Sequence, residues 1–208
     1  VYGFYYTTTT SGEPSWLITR GGPGIVGAGW THVAYTVNTV DHVQKVYVNG
    51  NLRATTNYTQ SIKYSDLGTR TYMGKHGDGS SNYDFNGGVD NIKVYNYALT
   101  QEQIATDIEF SAPLVPKVRL KFEETDGDIA YDSSGNRNRG NLGGAASCPG
   151  GASCPASGIG HSGGAFNFDG IDDYVDMGDN LDQTGSFTIM AWIKPDNVAI
   201  TGHQRIII

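Results

Sequence analysis

Short segments in which apolar and polar residues alternate recur along the chain, and this pattern limits the fold more than any other feature. Residues 187–194 alternate with period 2, and both faces of the segment are partly apolar, as expected for a strand inside a sandwich. Asn49-Gly50, a strong hairpin-turn signal, separates the segments 43–48 and 52–56. Further strands are predicted at 3–8, 15–19, 30–37, 70–73, 89–95, 118–122, 165–168 and 174–177. With 29 glycines among 208 residues, the sequence predicts an all-β antiparallel fold with many tight turns.

One helix interrupts the strand pattern. Thr100 and Gln103 form a capping box, and Ile104 and Ile108 lie one helical turn apart, so a short helix is predicted at 101–109. Two prolines in the segment 111–116 favour an extended linker after this helix. The glycine-rich region 140–164 is predicted to be a long surface loop.

Charge and hydropathy argue against two classes of partner. The formal net charge is −7, and the 14 basic residues are scattered, whereas nucleic-acid binding requires clustered Lys and Arg. No apolar run approaches the length of a membrane span, about 20 residues. We therefore expect neither a nucleic-acid partner nor a membrane span.

The sequence contains two cysteines, Cys148 and Cys154, on either side of a Pro-Gly-Gly stretch. Such a stretch can bend the chain enough to bring the two Cβ atoms within disulfide range. The alternative is half of a zinc site, but zinc ligands favour closer spacing and two more ligands would be needed. A disulfide is favoured and implies an oxidising compartment. Asn57-Tyr58-Thr59 is a sequon for N-glycosylation at Asn57.

Linked motifs in both parts of the chain resemble a known family. The segments 132–138, 163–175 and 186–195 resemble the N-terminal half of a laminin-G-like jelly roll of the concanavalin A-like lectin/glucanase superfamily. The segments that resemble its C-terminal half are 30–34, 46–50, 85–95 and 97–100. The resemblance implies an antiparallel jelly-roll β-sandwich whose halves occur in inverted order.

This inverted order predicts the organisation of the chain. Residues 1–110 form the C-terminal half of a jelly roll, 111–116 the linker, and 117–208 the N-terminal half. Neither half is expected to be stable alone, because each would expose unpaired strand edges and half of a core. The second half is therefore completed either by residues 1–110 of the same chain or by an adjacent copy.

We favour the adjacent copy, because both ends of the chain look cut from a longer secreted polypeptide made of such domains. Head-to-tail completion would build a filament. The most telling contact would then be pairing between residues 205–208 and 1–6.

The resemblance also implies a calcium site. In the family, calcium is often held between the Asp-Ser-Ser-Gly-Asn loop and an Asp on the last strand, and Asp132 and Asp90 match these two positions. Asn136 and Asn138 offer further carbonyl oxygens, a ligand type that calcium accepts. The residues alone allow a simpler alternative, in which Asp132 and the asparagines only bond their own backbone in a turn.

Thirteen tyrosines and three tryptophans raise the possibility of glycan binding, since flat aromatic faces stack on sugar rings. The candidates are Tyr5, Tyr6, Trp16, Tyr83 and Phe85. The alternative is that these aromatic residues only stabilise strands, in which they are common.

We therefore predict an extracellular structural or adhesive module, the repeating unit of a self-associating filament or of a tandem-domain surface protein. Its partners would be further copies of itself and, in the alternative function of a carbohydrate-binding module, an extracellular polysaccharide. A glycoside hydrolase is not expected, because the segment 124–128 lacks the last Glu of a glucanase motif and runs into a turn. His32 lies within a strand motif, which predicts a structural role.

Overall fold

The computed structural model describes residues 2–8, 14–22, 24–25, 27–62, 70–75, 83–110, 114–144, 148–179, 181, 183, 185–196 and 204–207. Within them lie fourteen strands and one helix. In chain order the strands are β1 (Tyr2–Thr8), β2 (Pro14–Arg20), β3 (Thr31–Asn38), β4 (Val43–Val48), β5 (Asn51–Asn57), β6 (Tyr72–Met73), β7 (Asn86–Tyr95), β8 (Val118–Leu120), β9 (Ile129–Ala130), β10 (Gly140–Leu142), β11 (Ala156–Ile159), β12 (Gly164–Asp169), β13 (Val175–Asp176) and β14 (Phe187–Pro195). The helix α1 is Gln101–Phe110, and no described helix has the length and apolar character needed to cross a membrane.

The strands form a large sheet, a small sheet and a hairpin. The large sheet has the order β11-β12-β7-β14-β3-β4-β5, and β8 also pairs with β7 beyond the end of β12. The small sheet has the order β6-β13-β10-β9, and β1 and β2 pair with each other. All of these pairings are antiparallel, which agrees with the predicted all-β class.

The core lies between the two larger sheets. Val89 and Ile92 from β7 pack in one cluster with Met73 from β6 and Val175 from β13, and each of these side chains is at most 1% exposed. Alternation along each strand directs one set of side chains into this cluster and the other set outward. The prediction of a jelly-roll sandwich is therefore confirmed.

Helix α1 covers part of the outer face of the large sheet. Its capping box is formed as predicted: Gln103 N donates to Thr100 Oγ1 at 3.2 Å, and Thr100 N donates to Gln103 Oε1 at 2.9 Å. Ile104 packs on apolar residues of the sheet, and Lys93 from β7 forms a buried ion pair with Asp107. Removing one partner of such a pair would leave a buried charge uncompensated, so this contact fixes the helix on the sheet.

Strands from the two parts of the sequence alternate within the large sheet. β14, from segment 117–208, lies between β3 and β7, and β7 lies between β12 and β14. In this structure, both strands that pair with β14 therefore come from residues 1–110 of the same chain.

Within this chain, the described residues of 205–208 and 1–6 do not pair, whereas pairing between copies stays a prediction. β1 pairs with β2 along its whole length, from Tyr2 opposite Arg20 to Thr8 opposite Pro14. Ile207 forms a bridge with Met73 instead, and Arg205 N donates to the carbonyl of Tyr83 at 2.8 Å. The C-terminal residues thus extend the small sheet beside β6.

The region 140–164 is not the long surface loop that its glycines suggested. It contains β10 and β11, although residues 145–147 lie outside the described part. A Cβ placed on Gly140 would lie 2.4 Å from Val175 Cγ1, so the missing side chain is what allows β10 to approach the neighbouring strand closely. The predicted linker 111–116 is described only at 114–116, which contain no helix or strand.

Candidate functional site

The predicted calcium ligand Asp132 lies in a tight turn that its own carboxylate holds together. Its Oδ1 accepts from the amides of Arg119 and Ser134, both at 2.9 Å. Its Oδ2 accepts from Ser134 Oγ at 2.8 Å and from the Asn138 amide at 2.9 Å. All four donors are protein groups, so this carboxylate is already satisfied without a metal.

The two predicted asparagines take part in the same turn. Asn136 Nδ2 donates to the carbonyls of Pro116 and Lys117 at 3.1 Å, and Asn138 Nδ2 donates to the Lys117 carbonyl at 2.9 Å. These bonds attach the turn to the chain just before β8. The turn therefore has a clear structural role, as the simpler alternative proposed.

Asp90, the fourth predicted ligand, is bonded to another loop. It is fully buried on β7, where Oδ1 accepts from Asn91 Nδ2 at 2.8 Å and Oδ2 accepts from the Ser162 amide at 3.1 Å. Burial raises the pKa of Asp90, although amide donors oppose this shift. The hydrogen bonds thus attach Asp132 and Asp90 to different loops, and a calcium site shared by both stays a prediction.

A different group of carboxylates lies close together in the turn after β12. One oxygen each from Asp169, Asp172 and Asp173 lies within 4.8 Å of the others. Asp169 Oδ1 accepts from the Ile171 amide at 2.8 Å, and Asp173 Oδ2 accepts from the Asp169 amide at 2.9 Å. Gly170 closes the turn with a φ of +75°, a region that favours glycine. We call residues 169–173 the acidic turn.

The acidic turn carries uncompensated charge. Burial, together with the neighbouring charges of Asp169 and Asp172, raises the pKa of Asp173 to about 6, although the Asp169 amide opposes the shift. Among the described residues, the ion pairs are Arg70–Asp176 and Lys93–Asp107, and neither includes a carboxylate of this turn. Hard carboxylate oxygens without a cationic side chain are the donor set that calcium prefers.

The outer face of the small sheet begins next to the acidic turn. Tyr72 lies directly opposite Asp176, and Asp176 lies directly opposite Asn141, so these three residues share one face. Arg70 Nη1 donates to Asp176 Oδ2 at 2.6 Å. This row lies on the face opposite the core, because the alternate positions Met73 and Val175 lie in the core, but Asp176 itself is only 6% exposed.

Two tyrosines and a lysine make up the rest of this face. The rings of Tyr72 and Tyr174 meet edge to face with centroids 5.6 Å apart. Lys75 Nζ lies 3.7 Å from the Tyr174 ring centroid and 5.0 Å from that of Tyr72, within the range of cation–π attraction. We call this set the tyrosine face, and its members are Arg70, Tyr72, Lys75, Asn141, Tyr174 and Asp176.

The glycan candidates predicted from the sequence lie elsewhere. Phe85 is 2% exposed and packs in the core against Phe168, so its prediction as a glycan contact is wrong. Tyr83 is half-buried, and the Arg205 guanidinium lies 4.6 Å from its ring centroid. Tyr5, Tyr6 and Trp16 lie on β1 and β2, with Tyr6 opposite Trp16, but their side chains are outside the described part.

The remaining sequence candidates are placed as follows. Cys148 and Cys154 form the predicted disulfide, with Cα atoms 5.7 Å apart. Asn57 is exposed at the end of β5, so its sequon is accessible. His32 is 3% exposed and meets Trp192 edge to face, which supports its structural interpretation. Glu124 lies in irregular chain followed by bends at 125–128, so Glu124 and Asp126 are not alternate positions of one strand.

Sequence reasoning missed the acidic turn and the tyrosine face, although signals for both were present. The segment 169–173 holds three aspartates within five positions. Alternation along residues 72–73 and 174–175 predicts that Tyr72 and Tyr174 lie on the face opposite Met73 and Val175. The predicted strands 70–73 and 174–177 were correctly located, but their outward faces were not compared.

The fold and the family comparison now agree on the class of protein. The described chain is an antiparallel jelly-roll sandwich with one short helix and an acidic turn at the edge of its small sheet. A laminin-G-like family model, described as concanavalin A-like lectin/glucanases superfamily, matches residues 2–105, and the chain belongs to this superfamily. Comparisons with curated proteins and with solved structures found no match.

The hydrogen bonds of Asp132 predict a stability effect. Burial raises the pKa of Asp132, but donors from Arg119, Ser134 and Asn138 outweigh it and hold this pKa below its ordinary value. A lowered carboxyl pKa stabilises the fold above the ordinary pKa, about 4, and this contribution is lost as the pH falls through the folded-state pKa. We expect Asp132→Asn to lower the free energy of unfolding at pH 7 by about 1–3 kcal/mol, as measured by urea denaturation.

The matched control is Asp128→Asn, which changes an exposed carboxylate nearby. We expect this control to have little effect at pH 7. The difference between wild type and Asp132→Asn should shrink as the pH falls below about 4. Equal stability of the two variants at pH 7 would contradict the structural role of Asp132.

Proposed function

We propose that the chain is a non-catalytic, extracellular binding module that recognises a glycan through its tyrosine face. The observation that carries this proposal is the position of that face beside the acidic turn. Asp173 and Tyr174 are consecutive residues, so a ligand or ion held by one group fixes the position of the other. The disulfide supports an extracellular location, because disulfides persist in oxidising compartments.

The tyrosine face has the two kinds of contact that sugar recognition uses. Tyr72 and Tyr174 supply apolar ring surface, and Asn141, Arg70 and Lys75 supply hydrogen-bonding groups. The Arg70–Asp176 pair keeps the guanidinium and the carboxylate in place beside Tyr72. The hydroxyl groups of a sugar ring that stacks on a tyrosine could then donate and accept hydrogen bonds without any change in the sheet.

Calcium fits the acidic turn better than the turn at 132–138. Asp169, Asp172 and Asp173 offer several hard oxygens in one place, whereas both oxygens of Asp132 are occupied by protein donors. When bound, calcium would supply positive charge that neutralises the three carboxylates and makes the turn more rigid. The rigid turn would then hold the Tyr174 ring against the Tyr72 ring, which it meets edge to face.

The glycan proposal predicts a selective loss of binding. Soluble xylan, β-glucan, galactan and an acidic polysaccharide serve as probes in affinity gel electrophoresis with calcium present. We expect at least one of them to retard the wild type, and expect Tyr72→Ala and Tyr174→Ala each to weaken that binding about tenfold, because each removes ring surface. The control is Tyr131→Ala, since Tyr131 is 60% exposed and lies outside the tyrosine face. A loss of retardation in Tyr131→Ala as large as in the other two, or no retardation by any probe, would overturn the proposal.

The calcium proposal predicts a stabilisation that depends on Asp172. A ligand that binds only the folded state stabilises it by about 2.7 kcal/mol at a free concentration of 100 times Kd. We therefore expect calcium to raise the Tm of the wild type and chelator to reverse the change. Asp172→Asn should abolish most of this increment, because it removes one carboxylate of the acidic turn. Among the described residues, Ser153 Oγ donates to Asp172 Oδ2 at 3.1 Å, and an asparagine oxygen can still accept this bond.

Asp132→Asn is the informative comparison for the calcium site. It should lower the Tm but leave the calcium increment intact. If Asp132→Asn abolishes the increment and Asp172→Asn preserves it, the ion binds at the site that the family resemblance implied. If calcium changes no Tm, neither site holds the ion.

We also propose that copies of the chain complete one another and form a head-to-tail filament. The observation that favours this second function is the insertion of β14 between β3 and β7. All contacts of β14 would be preserved if the strand came from a neighbouring copy, since exchange of an identical element conserves the interface. Such contacts are ladder bonds and core packing, which high salt does not screen.

A cross-strand disulfide distinguishes exchange from closure within one chain. Val33 on β3 lies directly opposite Ala191 on β14, so Val33→Cys with Ala191→Cys joins the two segments. If copies exchange strands, a non-reducing gel should show a ladder of linked chains, and electron microscopy should show fibres. A single band at the size of one chain, with uniform particles, would exclude the filament. Each single-cysteine variant controls for random cross-linking.

A further inference from the structure

A recess lies against the disulfide loop. It has a volume of about 270 Å³ and lies between the segment 124–127 and the disulfide loop 148–155. Ser153 in this loop donates to Asp172, so the same loop contacts the acidic turn, none of whose residues is among the described lining of the recess. None of the six members of the tyrosine face lines the recess, which makes it a distinct candidate site.

The chemical groups that line the recess are acidic and apolar. Among the described residues that line it, the ionisable side chains are Glu124 and Asp126, and none is a lysine, arginine or histidine. The deep wall is apolar, because Leu142 and Phe166 belong to the core and are 3% and 2% exposed. The disulfide and two prolines, Pro149 and Pro155, complete the apolar surface.

Glu124 has an unused hydrogen-bond acceptor. Its Oε1 accepts from the Tyr131 amide at 2.8 Å, which fixes the orientation of the carboxylate. Its Oε2 is buried and has no hydrogen-bond partner among the described residues. An unpaired buried carboxylate oxygen is costly, and a donor from a ligand would remove this cost.

We propose that this recess receives the side chain of a lysine or arginine from a partner polypeptide. Such a side chain has an aliphatic stem that fits an apolar wall and a cationic head that donates to carboxylates. A neutral apolar ligand would leave Glu124 Oε2 unpaired, and an anion would meet only negative charge. Charge complementarity together with the apolar wall therefore selects a long basic side chain.

The probe for this site is a capped single residue, Nα-acetyl-lysine methylamide or its arginine analogue, added to the full chain. We expect saturable NMR shift changes at the amides of residues 124–127 and 150–151, with a decrease in affinity as salt is added. The matched comparison is Nα-acetyl-norleucine methylamide, which keeps the stem and lacks the charge. It should produce no saturable change at these amides.

Three variants test which groups recognise the probe. Asp126→Asn and Glu124→Gln should each weaken binding about fivefold or more, since each removes one charged acceptor. Asp128→Asn, an exposed carboxylate outside the recess, should leave the affinity unchanged. Asp126 is exposed, so its variant still provides the test if Glu124→Gln proves unstable.

Three results would overturn the proposal. These are equal binding of the norleucine probe, an equal loss of affinity in Asp128→Asn, and saturation of the same amides by a neutral sugar but not by the basic probes. The last result would make the recess a hydroxyl-binding site. The tyrosine face shares no residue with the recess. These outcomes therefore do not bear on the glycan proposal, which the affinity electrophoresis experiment tests separately.

Discussion

The position of β14 is the constraint on which the rest of the structure depends. Its backbone pairs with β3 on one side and β7 on the other, and its side chains contribute to the core on one face and to the helix contact on the opposite face. Residues distant in sequence are therefore joined along the middle of the large sheet. Such long-range pairings slow folding, because chain entropy must be lost before the contacts form. They also leave neither segment with a core of its own.

The large sheet is central, but the candidate binding groups lie around the small sheet and its loops. The outer face of the large sheet is partly covered by α1, which the buried Lys93–Asp107 pair and Ile104 hold in place. The strands of the small sheet are two or three residues long, so its turns lie close together in space. Acidic and aromatic side chains from separate turns can meet there without disturbing the core.

The sequence could predict the fold because the relevant signals are local. Alternation located β3, β4, β7 and β14, the Asn49-Gly50 turn lies between β4 and β5, and the capping box located α1. It could not predict β10 and β11, because glycines in strands look like glycines in loops until a close neighbour such as Val175 is known. Phe85 shows the same limit: its aromatic ring could serve a glycan or the core, and only its packing against Phe168 decides its role.

The site was harder to predict than the fold, since it depends on which residues compete for the same oxygen atoms. The Asp132 turn and the acidic turn look alike in sequence, because each combines aspartate with glycine. In the first turn, backbone amides and a hydroxyl donate to both oxygens of Asp132, so the charge of this carboxylate stabilises the turn itself. In the second, three carboxylates converge and burial opposes the ionisation of Asp173. A carboxylate whose oxygens accept hydrogen bonds from its own turn has few free acceptor sites for a ligand. Carboxylates that repel one another are instead stabilised when a cation binds between them.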